Sequence, residues 1–250
     1  QYPEYTFIRC EENLGFAVGN NLALKKAEGD FFIFINNDTE IDPQFLVELD
    51  NQIIQYNNNL FGIIACRLMW YDQKDLIQFA GHYGLNPITA RGFSRGYKEK
   101  DNPKFHNIHK THLAHGAAML VTREAVLKAG LMPDIYFLYY EELDFCEKIK
   151  RAGFDIIYNG KAVVYHKESM SVGKNSPLKI YYMTRNRLLF IRRNVFGFKF
   201  ILSYLYHLLI AFPKQLLGFV KNKEFSLIPP FFKGIWWNFT NFNVFKDPTL

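Results

Sequence analysis

The chain has 250 residues, 49% hydrophobic and 22% charged, which is enough apolar material for one large domain with or without an appendage and excludes global disorder. Its formal net charge of +6 favours anions such as phosphates or acidic headgroups but is too small to argue for nucleic acid. Three widely spaced cysteines, Cys10, Cys66 and Cys146, exclude a disulfide framework or zinc knuckle and fit a reducing, cytosolic setting.

Residues 5–9 are expected to form a short strand. Asn13-Leu14-Gly15-Phe16-Ala17-Val18-Gly19-Asn20-Asn21 is expected to be a turn leading into a helix over 22–27, which Glu28-Gly29-Asp30 ends. Phe31-Phe32-Ile33-Phe34-Ile35 is a continuous apolar run, the pattern of a strand buried on both faces in a parallel sheet, and it stops at Asn36-Asn37-Asp38. Asp42 is placed to cap a helix with Pro43 in its first turn. A strand follows at 62–68, then an irregular polar stretch over 70–112, a strand at 117–122 and a helix over Arg123–Ala129 closed by Gly130. A helix over 141–152 closed by Gly153, and short strands at 155–158 and 162–165, complete an alternating α/β pattern. From about residue 178 the chain turns aromatic and basic: a helix over 181–194 carries Arg185, Arg187, Arg192 and Arg193, and no acid occurs between Ser169 and Lys223. The expected division is 1–177 for an α/β domain and 178–250 for a helical appendage.

Four features carry chemistry. A carboxylate at the end of an apolar strand, Asp38, is where open α/β sheets bind ligands, and one carboxylate is what a hard divalent cation on a diphosphate needs from a protein. Asn-Asn-Asp-Thr is equally good turn chemistry. The spacing of Asp38, Glu40 and Asp42 is not a calcium loop, lacking the turn Gly and the twelfth-position Glu. Glu141, Glu142 and Asp144 crowd a helix start, where the helix dipole favours them and where mutual repulsion raises one pKa, as suits a general base. His166 follows a strand and has the ring nitrogens to ligate the same cation or to serve structurally. Gly15-x-x-x-Gly19 precedes a helix, so its backbone N–H groups could meet a diphosphate, although it has neither a dinucleotide fingerprint nor a Walker signature. His106, His109 and His112 fit one helical face poorly as a metal cluster.

Taken together, the motifs resemble the inverting family 2 glycosyltransferases of the GT-A fold, and most closely rhamnosyltransferase-like members that build cell-surface polysaccharides. The resemblance runs from residue 4 to about 194. It rests on the Asn13–Asn21 segment, on Phe34-Ile35-Asn36-Asn37-Asp38-Thr39-Glu40-Ile41-Asp42-Pro43, which looks like the family's DxD motif, and on His115-Gly116-Ala117-Ala118-Met119-Leu120-Val121. Tyr140-Glu141-Glu142-Leu143-Asp144-Phe145-Cys146 and Val163-Val164-Tyr165-His166 complete it. It implies a Rossmann-like mixed sheet flanked by helices. It implies that Asp38 and His166 hold Mg²⁺ or Mn²⁺, and that Asn13, Gly15, Phe16, Gly19, Asn20, Asn21, Asn36 and Asn37 lie on the side of a nucleotide-diphosphate sugar donor. It implies Glu142 as catalytic base, with Glu141 and Asp144 shaping the acceptor side. The implied acceptor is a surface glycan or a lipid-linked one. Asn36 stands where the motif often has Asp, and Glu142 where the family usually has Asp. The family's first strand and nucleoside-binding carboxylates are expected upstream of Gln1, so the sequence reads as cut at its start. A non-catalytic GT-A-like binding module and a nucleotidyltransferase are the rival readings.

Residues 200–213 carry no Asp, Glu, Lys or Arg, lie between Lys199 and Lys214, and contain Tyr204, Tyr206 and His207. Fourteen residues fall short of the roughly 20 a spanning helix needs. They are expected to form an interfacial amphipathic helix on an anionic membrane, with Trp236-Trp237 as a second anchor, which places the protein peripherally at the cytoplasmic face.

Overall fold

A computed structural model of the chain describes residues 4–56, 60–167 and 176–250; Gln1-Tyr2-Pro3 therefore lie outside the described residues. Residues 5–9 are irregular, not a strand, and Tyr5 and Phe7 face solvent. The first helix, α1, is Gly15–Leu24. It starts well before the expected residue 22, because Gly15 turns the chain at φ +79° and its N–H bonds Asn13 Oδ1 at 3.0 Å. Ala17, Asn21 and Leu24 then recur at helical spacing on the buried face. Tertiary burial overrides the turn preference of the Asn and Gly residues here.

The central sheet is built from β1 (Phe31–Ile35), β2 (Thr39–Ile41), β3 (Phe61–Trp70), β4 (Ile77–Phe79), β7 (Ile108–Lys110), β8 (Ala118–Thr122) and β9 (Asp155–His166). Its strand order is β1-β8-β3-β9-β2, with β4 on β3 and β7 on β9. Among the described residues only β3 and β9 run parallel, so the sheet is mixed, as expected. β3 is buried from Phe61 to Met69. β1 departs from expectation. It pairs antiparallel with β8, and among the described residues it is an end strand. It buries Phe32 and Phe34 while Phe31, Ile33 and Ile35 stay 40–42% exposed. An unbroken apolar run therefore covers a strand buried on one face only.

α2 (Phe45–Gln55) begins slightly beyond Pro43, after Asp42 Oδ1 accepts the Gln44 N–H at 2.9 Å. α3 (Arg123–Ala129) is capped by Thr122 Oγ1 and ends at Gly130 with φ +79°, and α4 (Glu141–Arg151) leads to Gly153. The two short strands expected at 155–158 and 162–165 are one twelve-residue strand, β9. A register shift between Cys66, paired with Asn159, and Arg67, paired with Val163, absorbs Gly160, Lys161 and Ala162 without breaking it. The stretch over 70–112 is ordered rather than irregular. It supplies β4 and β7 to the sheet and forms a separate hairpin of β5 (His82–Asn86) and β6 (Arg91–Ser94).

α5 spans Pro177–Asn194, starting at a Ser176 cap four residues ahead of the expected 181. A continuous 24-residue helix, Phe198–Lys221, follows, with a π-helical turn at His207–Ala211. The last helix is Ile228–Thr240. One hydrophobic cluster fills the sheet and its helices. A second joins Ala90, Tyr136 and Tyr140 to Leu188, Leu189, Phe231 and Val244, so packing crosses the expected division at 177/178.

Candidate active site

β1 ends where Asn36 donates its backbone N–H to Ala117 O at 3.0 Å, and Thr39 Oγ1 closes the turn on Asn36 O at 2.6 Å. β2 then pairs with the end of β9, setting Thr39 opposite His166, and the Lys167 N–H bonds Asp38 O at 2.9 Å. This local register brings Asp38 Oδ1 to 3.3 Å from His166 Nε2. His166 Nδ1 lies 2.8 Å from Gln78 Oε1. That oxygen can only accept, so Nδ1 is the donor and Gln78 fixes which edge of the ring, Nε2, is turned toward the carboxylate. Asp38 Oδ1 is buried and accepts no hydrogen bond. A buried carboxylate oxygen without a hydrogen bond calls for positive charge beside it. A divalent cation meets that need, with Gln78 holding the ring as outer-shell partners of metal-bound histidines do. Among the described residues no three His, Cys, Asp or Glu side chains converge as a metal cage. Two protein donors, completed by substrate phosphates and water, suit a hard cation on a diphosphate.

His115 packs edge-on against His166 with ring centroids 5.9 Å apart, and its Nδ1 accepts the Ala117 N–H at 3.1 Å. Burial, then the neighbouring His166, pull its pKa down to about 4, so it is neutral. The next residue, Gly116, lies against the Phe16 ring and the Glu142 Cβ; a Cβ built on it would be 3.1 Å and 3.7 Å from them. The short segment 115–117 thus links Glu142 and Phe16 to Asn36, His166 and Asp38.

Glu141 and Glu142 open α4 after two consecutive residues in the left-handed region, Tyr139 at φ +70° and Tyr140 at φ +77°. Such conformations are strained for non-glycine residues and persist only where surrounding contacts hold them. Here α5 does so. Asn186, fully buried, donates from Nδ2 to Leu138 O at 2.7 Å and to Tyr139 O at 2.8 Å, while Arg185 Nη2 donates to Ile135 O at 2.8 Å. Glu141 is buried with Oε2 unpaired; burial first, then the Glu142 carboxylate, push its pKa up. Burial also raises that of the half-buried Glu142. The two titrate as a pair in which the deeper Glu141 holds a proton more readily.

Asp144 does not share their surroundings. It is 0% exposed, ion-paired to Arg193 and bonded by Asn194 Nδ2 at 3.0 Å, while Arg193 also grips Asp247 at 2.7 Å. Both Asp144 oxygens are engaged in fastening α4 to α5, which takes this residue away from the acceptor role the motif implies. Several donor-side candidates also have structural duties. Asn21 is buried and ties α1 to residue 132 through both ends of its amide, at 2.9 and 3.1 Å. Asn20 Nδ2 bonds Phe16 O at 2.9 Å. Gly19 lies inside α1, so its N–H belongs to the helix rather than to a phosphate-binding loop, and Gly15 is required because a Cβ there would stand 2.3 Å from Phe137 O. Asn13 and Asn37 are exposed, and Asn36 is half-buried beside Asp38. The three histidines of the 106–112 stretch do not gather: His106 pairs with Asp101, His109 packs at a tilt against Tyr158, and His112 faces Gly84. Sequence reasoning missed Gln78, Asn186 and the histidine at 115, of which only His115 stood inside a recognised motif.

The family model of glycosyl transferase family 2 matches residues 1–127, half of the chain. The chain belongs to that family. It is 24% identical over 193 residues to the low-salt glycan biosynthesis hexosyltransferase Agl10 of Haloferax volcanii, covering 75% of this chain and 60% of that protein. It is 22% identical over 174 residues to the O-antigen biosynthesis protein RfbC of Myxococcus xanthus, covering 68% of this chain and 13% of that one. The chain therefore spans less than two thirds of the length of these relatives. Among solved structures it is similar to GalNAc-T7 with UDP, GalNAc and Mn²⁺, with a TM-score of 0.54 at 14% identity over 68% of this chain and 34% of that one. It is likewise similar to S. aureus TarS in complex with UDP-GlcNAc, with a TM-score of 0.51 at 15% identity over 89% of this chain and 60% of that one. At such identities the likeness establishes the fold, a mixed sheet flanked by helices of the GT-A kind.

Proposed function

We propose that this family 2 chain catalyses inverting transfer of a sugar from a nucleotide-diphosphate donor to a surface glycan or lipid-linked acceptor, in a divalent-cation-dependent reaction at the cytoplasmic face of a membrane. The observation that carries the reading is the buried, unbonded Asp38 Oδ1 facing His166 Nε2 at 3.3 Å. Both named relatives concern glycan or O-antigen biosynthesis, and both named structures hold a uridine nucleotide or its sugar.

Asp38 and His166 would hold the cation, with Gln78 fixing the histidine ring. Bound there, Mg²⁺ or Mn²⁺ would supply positive charge for the departing diphosphate. Glu142 takes the proton of the acceptor hydroxyl as its oxygen bonds the anomeric carbon; the bond from that carbon to the diphosphate oxygen breaks, and its electron pair leaves with the diphosphate. One such in-line displacement inverts the anomeric centre. The raised pKa of Glu142 makes it a stronger base than an ordinary surface carboxylate. Proton retention by Glu141 keeps a second negative charge away from the pair. Half-buried Asn36 and exposed Asn37 lie on the donor side of Asp38, and residues 115–117 separate them from Glu142.

The test measures Mn²⁺-dependent binding of a panel of nucleoside diphosphates by calorimetry, together with sugar transfer. Asp38→Ala is expected to abolish the Mn²⁺ dependence of binding, and Glu142→Gln to retain it while transfer falls by about 100-fold or more. Unchanged Mn²⁺-dependent binding by the Asp38 variant would remove the metal assignment. Normal turnover by the Glu142 variant would move the base elsewhere, and binding without turnover in the unmodified chain would favour a non-catalytic module.

A further inference from the structure

The helix Phe198–Lys221 is 24 residues long, which at about 1.5 Å per residue is about 36 Å, and by length and composition it is apolar enough to cross a membrane. Yet one face is committed to the protein. Ser203 Oγ donates to Ile88 O at 2.7 Å, in the turn between β5 and β6. His207 is 1% exposed with Nδ1 2.8 Å from Ser203 O, and the rings of Phe212 and Phe219 pack on Phe231 of the last helix at 5.4 and 5.8 Å.

These four anchors should not share a face. Ser203 and Phe212 are nine positions apart, which is about 180° of rotation in an uninterrupted α-helix. The π-turn at His207–Ala211 lies between them. It takes up about one residue of the rotation and brings Phe212 to within about 80° of Ser203. The same shift aligns the opposite face. Phe198, Ile201, Leu205, Leu209, Leu217 and Val220, all 46–71% exposed, fall in one stripe down the whole helix. The three cations of the helix, Lys199, Lys214 and Lys221, are exposed and fall along one flank of that stripe. No Asp or Glu occurs in Phe198–Lys221.

We infer that the outer face of helix Phe198–Lys221 docks on an anionic lipid leaflet, with the helix lying flat, its apolar stripe immersed and its lysine row on the phosphates. A soluble surface rarely leaves a continuous apolar stripe of this length bare, and apolar residues flanked by lysines are what an interfacial helix presents. The bound inner face separates this from a spanning helix, which would need to release Ser203, His207 and both Phe anchors. Charge argues against a second copy as occupant, because the stripe is bordered by cations and the chain has no acid between Ser169 and Lys223 to meet them. Trp236, 67% exposed, gives the last helix an outward aromatic of its own, whereas Trp237 turns inward under Arg185, at 4.8 Å from its ring. The inference gives the proposed membrane location a surface and an orientation, and it stands independently of the Asp38 site.

The test is co-sedimentation of the 250-residue chain with vesicles of phosphatidylcholine alone and of phosphatidylcholine mixed with phosphatidylglycerol. Binding is expected to the anionic vesicles, at least tenfold weaker for Leu205→Asp/Leu209→Asp, and reversed by alkaline carbonate. Lys199→Ala/Lys214→Ala/Lys221→Ala is expected to reduce the preference for anionic vesicles. Both leucines already face solvent, so an unchanged melting temperature of that variant confirms that its fold is intact. Calorimetric binding of Mn²⁺ and nucleoside diphosphate by the same variant reports on the proposed function separately. Equal binding by the leucine variant overturns the inference, as does absence of vesicle binding by the unmodified chain. Resistance to carbonate extraction overturns the flat orientation in favour of a span. A dimer in sedimentation velocity that the leucine variant dissociates, with no vesicle binding, assigns the face to a second copy.

Discussion

Asn186→Ala separates the proposed site from its scaffold. Asn186 is 0% exposed and donates two bonds to the carbonyls of Leu138 and Tyr139, at 2.7 and 2.8 Å, while its oxygen accepts from Arg185 Nε at 2.7 Å. Truncation leaves two buried carbonyls without these donors, at about 1–3 kcal/mol each. Tyr139 and Tyr140 hold left-handed backbone at about 1–3 kcal/mol apiece, so relaxation of the freed loop returns part of that loss. The net destabilisation is about 3 kcal/mol, or about 6–12 °C in melting temperature for a chain of this size. Urea denaturation measures the first figure and a thermal scan the second. Asn186→Asp keeps the acceptor for Arg185 but sets a carboxylate against two carbonyls, so it should be at least as harmful as Ala. If Asn186→Ala loses less than about 0.5 kcal/mol, or if the Asp variant matches the native chain, this residue does not hold the loop and the account of how Glu141 and Glu142 are presented fails.

Gly15→Ala forces a side chain onto φ +79° with its Cβ 2.3 Å from Phe137 O, and a loss of about 2–3 kcal/mol in urea denaturation is expected; a neutral result would mean that the contact between α1 and residue 137 is not tight. Burial first, then the charges of His112 and Lys150, pull the His82 pKa down to about 4, so this imidazole binds fewer protons folded than unfolded. Its contribution is fully present above pH 6.5 and is lost as pH falls toward 4, amounting to about 2 kcal/mol by pH 5. His82→Asn should therefore flatten the stability profile between pH 7 and 5, and an identical slope would show that His82 is not buried as a neutral ring. Cys66 and Cys146 are 0% exposed with thiols pushed up to about 12 by burial, while Cys10 is exposed. Maleimide should label the native chain once, at Cys10, with two further equivalents only after denaturation.

Asp38, Glu142 and His166 were legible because each stands at an element end that its own sequence announces: an apolar run that stops, a helix that starts on acids, a strand followed by a His. Gln78, which orients His166 from 88 positions away, had no such signal, since it lies in a stretch whose strands are short and recruited by β3 and β9. The start of α1 was misread because Asn and Gly favour turns when taken alone, while burial of Ala17, Asn21 and Leu24 decides the matter in the fold. The long helix is the converse case. Its apolar stretch was visible, but its stripe was not, because a 3.6-residue period puts Ser203 and Phe212 on opposite sides and only the π-turn reconciles them.

The acid motif shows why local sequence cannot divide roles within itself. From Glu142 to Asp144 the helix turns by about 200°, so the two carboxylates face nearly opposite ways. Glu142 meets Gly116 and the His115 side; Asp144 meets Arg193, which in turn holds Asp247 and the Val244 carbonyl. Removal of Asp144 would leave the buried Arg193 guanidinium with Asp247 as its remaining carboxylate partner and unfasten α4 from α5, a change that disrupts packing rather than proton transfer. Loss of activity in an Asp144 variant is therefore no evidence of a catalytic role unless stability is measured beside it. The same geometry gives the helices after residue 177 a part in the site. Through Asn186 they hold the left-handed loop before Glu141, and through Arg193 they hold the helix after it, so the acid pair is presented by a segment that composition alone marks as an appendage.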